Sequence, residues 1–163
     1  MEPTPPLPPP HLLPVLTTVR ANAEAAFPGT WTRCYLAATR HNDRHISSMT
    51  PLWVGDEEVK RIWFDGEARR EIPRALLAWT SELAAAGLPV WHILVLGMNR
   101  VPGDYQVKLI YPGDPDDTGW EVDPRHTQPI VDKIVAAVPL ADPPPPAGWW
   151  RRVVGDRKTQ GTP

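Results

Sequence analysis

The residues best equipped for chemistry are crowded into one stretch, GDYQVKLIYPGDPDDTGWEVD, residues 103–123. Asp114, Asp116 and Asp117 surround Pro115, and Trp120, Glu121 and Asp123 follow Gly119. Carboxylates at this density serve as calcium ligands, as an acid/base pair, as caps of a solvated turn, or as a surface that attracts a cationic partner. An EF-hand register puts Asp114 at position one, Asp116 at three and Gly119 at six, but Thr118 then stands at five and Arg125 at twelve, where a bidentate Glu is required. A guanidinium cannot replace that ligand. A catalytic pair needs one acid raised by burial and one kept ionised. A Pro/Gly turn is wet, and Trp120 is its one nearby desolvating group. The turn and the recognition surface therefore remain. Between Asp104 and Asp123 six acids face one base, Lys108, a net charge of -5 if all are ionised. Such a segment steers a basic protein and speeds encounter. Trp120 within it would be an apolar anchor, and Glu121 adds to the charge.

Other reactive residues lack a setting. His41 and His45 are four apart, but HNDRH carries no helical pattern, and that spacing converges on one side only in a helix. His92 lies in a strand, His126 precedes a helix, and no third ligand is placed beside the pair, so no metal is expected. Ser47, Ser48 and Ser81 lack a nucleophile-elbow context. Cys34, the single cysteine, falls mid-strand, which suits core packing and excludes an internal disulfide. GDPDDTG has no Lys after its Gly, and its acids would repel phosphate. No cofactor is implied.

These residues must be carried by regular elements. Residues 12–27 repeat apolar positions at Leu12, Val15, Leu16, Val19 and Ala23, a helix starting near Pro14 and stopped by Pro28-Gly29. Strands are expected at 31–39, 46–54 and 58–66, with RHNDRH (40–45) as a polar turn and Pro51 marking an edge or bulge. Ile72, Leu76, Trp79 and Leu83 define a second helix over 72–86, with Pro73 in its first turn and Gly87 as its stop. The continuous apolar run of 89–100 predicts a buried strand, and 105–112 pairs back on it as a hairpin. Thr127 caps a last helix, 127–138. Grouped hairpins predict an α+β fold, an antiparallel sheet of about five strands with helices packed on one face.

Pro is far above the usual ~5%, at 22 residues, and it is concentrated at the two ends. MEPTPPLPPPHLLP and ADPPPPAG cannot supply helix or ladder donors. Residues 1–11 are expected as a disordered leader, 12–140 as one domain, and 141–163 as a linker with a Trp149-Trp150-Arg151-Arg152 tail. The net charge of -2 argues against nucleic acid as a partner. No apolar run approaches ~18 residues, and no signal peptide is visible, so a cytoplasmic protein with no membrane partner is expected.

Residues about 31–123 resemble the YezG-like immunity proteins of bacterial polymorphic toxin systems. The resemblance is carried by the order of WTRCYLAA, PRALLAWTSELAAAG, PVWHILVLGMNR and DYQVKLIYPGDPDD, the last ending in a Tyr followed by acids. It implies a non-enzymatic protein that binds and neutralises a cognate toxin, often a nuclease, and places Tyr111, Asp114, Asp116 and Asp117 on the family's motif. The expected partner is accordingly a basic toxin domain. The Pro-rich arms depart from the family and leave a secretion accessory or structural adapter as an alternative, with an uncharacterised hydrolase as another.

Overall fold

The computed structural model describes residues 9–54, 59–61, 64–100, 105–120 and 125–140. Its elements run α1 (Leu12–Ala26), β1 (Arg33–Asn42), β2 (His45–Val54), β3 (Val59–Arg61), α2 (Ala68–Ala85), β4 (Ile93–Asn99), β5 (Tyr105–Ile110) and α3 (Gln128–Ala137). The class is α+β. Four strands of six to ten residues make the body of an antiparallel sheet. The three-residue β3 adds a short ladder outside β2, so the order is β3-β2-β1-β4-β5.

The helices do not share one face, and the single-face expectation is corrected here. Leu12, Val15, Val19 and Ala23 of α1 and Ala68, Ile72, Leu76 and Trp79 of α2 pack on Cys34, Leu36 and Ala38 of β1 and Leu94, Leu96 and Met98 of β4. On the opposite face Ile130, Val131, Ile134 and Val138, in α3 and at its end, cover Tyr35, Ala37, Leu52, Ile93, Val95 and Ile110. The physical reason is that β1 and β4 are apolar at both parities. A strand whose two faces are both apolar must be covered on both, and all seven residues of β4 are buried.

The boundaries differ from expectation where side-chain caps or long ladders decide them. α2 starts four residues before Ile72, because Asp65 Oδ1 accepts the Ala68 N–H at 2.7 Å and opens the helix there. Pro73 consequently lies inside the helix rather than in its first turn. Thr127 precedes α3 but makes no side-chain capping bond. The polar segment RHNDRH is mostly strand: β1 runs to Asn42, β2 starts at His45, and the turn is Asp43-Arg44. The third strand, expected over 58–66, is described only at 59–61.

Two loop bonds set the ladder phase. Arg100 N–H donates to Thr32 O at 2.9 Å and Arg40 N–H to His92 O at 2.8 Å. In an antiparallel ladder these bonds flank the pairs Arg33↔Asn99 and Thr39↔Ile93. The even residues of β1 and β4 therefore bond each other, and the odd ones bond outward, to β2 and to β5. Pro51 opposes Leu36. Its nitrogen points away from β1, so its missing donor costs that ladder nothing.

α1 is tied to the sheet at Trp31. Its Nε1–H donates to Glu24 Oε2 at 2.5 Å, while Arg20 and Arg100 stand 5.4 and 5.9 Å from its ring. That hydrogen bond, with help from Gly29 N–H, Arg100 and Arg20, holds the Glu24 carboxyl below the usual carboxylate range. Arg20 also donates to the carbonyl of Arg100, closing the bracket between α1 and the end of β4.

Residues 9–11 of the expected leader are described, and His11 Nε2 meets Glu82 of α2 at 2.8 Å. The rest of the leader and the expected 141–163 tail lie outside the described residues. Among the described residues no helix is long and apolar enough to cross a membrane.

Candidate functional site: the acidic turn after β5

β5 ends at Ile110, and the chain folds at once into a turn locked by its own acids. Asp114 N–H donates to Tyr111 O at 3.0 Å, while Asp114 Oδ2 accepts the Tyr111 N–H at 2.9 Å. Asp117 N–H donates to Asp114 O at 3.0 Å, and Asp117 Oδ2 accepts the Gly113 N–H at 2.8 Å. Gly113 has φ of 88°, which a side chain would strain. Asp and Asn side chains mimic backbone in this way, which is why acids gather in turns. Tyr111, Asp114 and Asp117 are thus joined in one knot.

The turn is pinned from below. Trp120 is 4% exposed and sits in the α3-side core. Its Nε1–H donates to Asp116 O at 2.6 Å. Lys133 of α3 donates from Nζ to Thr118 O at 2.5 Å and stands 4.6 Å from the Trp120 ring. The expected role of Trp120 as an apolar anchor for a partner is corrected by this burial, which leaves its ring inaccessible. A large ring next to a sheet face gains more by packing inside than by waiting for a partner. It holds the turn to the body instead.

Asp114 and Asp116 are exposed, and Asp117 is half-buried. Lys108 Nζ lies 3.2 Å from Asp116 Oδ2, a solvent-exposed pair that offsets part of the turn's charge. Glu121, together with Asp104 and Asp123, lies outside the described residues. Lys133 had no signal in the sequence, because its contact depends on how α3 docks. Lys108 could have been placed from the hairpin, eight residues from Asp116.

Asp117, Thr118, Gly119 and Trp120 also form one wall of an open cleft of about 420 Å³, faced by Thr39, Arg40, His41, Ser47 and His92. Three of its polar side chains are engaged elsewhere. Ser47 Oγ donates to Thr39 O at 3.1 Å, and Arg40 Nε to Trp91 O at 2.9 Å. Asp117 faces the Gly113 amide, and no His–carboxylate contact occurs in this cleft among the described residues. His41 and His45 fall on opposite arms of the β1–β2 hairpin. Among the described residues no three His, Cys, Asp or Glu side chains gather as a metal site. Cys34 is fully buried, and burial pushes its thiol up to about 12, the reverse of an activated nucleophile.

Fold and turn together define an α+β scaffold that presents a braced anionic loop at one sheet end. No protein-family model matches the chain, and no curated protein matches it.

Proposed function

We propose that this chain is a non-enzymatic binding protein of immunity type, which holds and neutralises a basic toxin domain through the turn of Asp114, Asp116 and Asp117. The observation that carries this reading is the bracing of the turn. Two of its carboxylates stand in solvent on a backbone fixed by hydrogen bonds within the loop and by Trp120 and Lys133 beneath it. A preorganised charge costs little ordering entropy when a partner arrives. A toxin that cleaves nucleic acid carries a site shaped for phosphate, and outward carboxylates answer that charge. The resemblance over residues 31–123 supports the same reading, and a cytoplasmic setting belongs to it.

The test replaces Asp114, Asp116 and Asp117 together by Asn. An Asn side chain keeps the oxygen that accepts each turn amide, so the substitution removes charge and spares the loop. Association with a basic toxin domain should slow by roughly tenfold at low salt, and its salt dependence should flatten. Equal association rates for the two proteins across a salt series would remove the turn from the binding surface.

A further inference from the structure

We propose that the outer edge of β5 takes up an added β-strand, an extended and basic segment of the protein partner, laid alongside Tyr105–Ile110 and ending against the acidic turn. This rests on the reading of the turn as a binding surface and names the way the partner engages it.

The ladder phase carries the argument. Even residues of β4 bond β1, so Ile93, Val95 and Gly97 turn toward β5, where they oppose Ile110, Lys108 and Gln106. The amides and carbonyls of Val107 and Leu109 therefore point the other way. β5 is the last strand in the sheet order, and no described strand lies outside it. Tyr111, the next residue in that phase, has both backbone groups taken by Asp114, so the open edge stops where the acids begin. An edge strand with free backbone groups is a template for another strand.

Side chains agree with backbone. Tyr105, Val107, Leu109 and Tyr111 form one row on the α1/α2 face, packed against that core yet only partly buried. A strand beside β5 would lay alternate side chains over this half-covered row. Proteins commonly blunt an edge with lysine. Here Lys108 faces the opposite side, and its charge is engaged by Asp116 at 3.2 Å. Nothing cationic among β5's side chains guards the row. The exposed Asp114 and Asp116 lie where the added strand would end, which selects a basic segment over an acidic one.

The test uses the full chain and two synthetic probes, a lysine/valine alternating peptide and the same peptide N-methylated at every second residue along one edge. Both carry the same charge. Binding is read by titration, and amide exchange is followed residue by residue. The plain peptide should bind and slow exchange at Val107 and Leu109, and the methylated one should bind at least about tenfold more weakly, since its blocked amides cannot complete the ladder. Equal affinity for both probes, lost in the triple Asn protein and without protection at Val107 and Leu109, would overturn strand addition while leaving the charged turn intact. Absence of binding by either probe would also overturn it, and the turn would still be judged separately by the toxin association rates. Protection of Val107 and Leu109 in the protein alone, with dimers in sedimentation, would assign the edge to a second copy and overturn the proposal.

Discussion

Gly97 offers a sharp test of how α3 is seated. It lies in β4 between Tyr35 of β1 and Gln106 of β5. A Cβ built there would stand 2.9 Å from Val138 Cγ2 and 3.0 and 3.1 Å from Cδ1 and Cε1 of Tyr35. Carbon atoms in ordinary contact keep about 3.5–4.0 Å, so something must move by roughly half an ångström. Tyr35 is 1% exposed in a central strand and has nowhere to go. Val138, just past the end of α3, must give instead. Overpacking of this kind costs about 1–3 kcal/mol. Gly→Ala returns roughly 0.4–1 kcal/mol through the unfolded chain. The net for Gly97→Ala is then a loss of up to about 2.6 kcal/mol, read as a lower urea midpoint at constant slope. Val138→Ala opens the space, so Gly97→Ala should cost at least ~0.5 kcal/mol less in that background. An equal cost of Gly97→Ala in both backgrounds would refute the seating of α3 and with it the bracing of the acidic turn through Lys133.

Three tryptophans make a second comparison. Trp120 and Trp31 donate hydrogen bonds from Nε1, whereas the buried Nε1 of Trp91 has no partner among the described residues. Phe at 120 or 31 should therefore cost about 1 kcal/mol more than Phe at 91 in denaturant titrations, and the opposite order would count against these placements. Cys34 has a folded pKa, about 12, above its unfolded value near 9.0. Stability from keeping the thiol neutral is complete below pH 9 and disappears as pH rises through 12. A thiol reagent at pH 8 should label Cys34 only at the rate of unfolding, and Cys34→Ala should flatten the alkaline decline; prompt labelling of the native protein would contradict its burial.

Much of the scaffold was legible because periodicity reports burial directly. Ile72, Leu76 and Trp79 sit at helical spacing and are buried, and the unbroken apolar run of β4 is buried throughout. The single-face expectation fails because an amphipathic stripe says that a helix needs a partner and not which sheet face supplies it. The hint lay in β1, where Cys34, Leu36 and Ala38 are apolar at one parity and Tyr35 and Ala37 at the other. Trp120 departs from expectation for a related reason. Its sequence neighbours are acids, yet its spatial neighbours come from α3 and the sheet. The acids themselves were legible as a turn, since Asp side chains closing loops around Pro and Gly act over three or four residues. The direction of the free backbone groups on β5 was beyond reach, because it depends on the phase of a ladder that joins distant segments.

The sheet is two hairpins sewn along a single central seam. β1 and β2 are joined by two residues, and β4 and β5 are neighbours in the chain, so each pair can close early from local contacts. The seam runs from Arg33↔Asn99 to Thr39↔Ile93 and spans the whole of β2, β3 and α2. Closing it carries a loop-entropy cost that neither hairpin bears. That join therefore carries the sheet's largest loop-closure cost, and without it β4 would hold its inner margin bare.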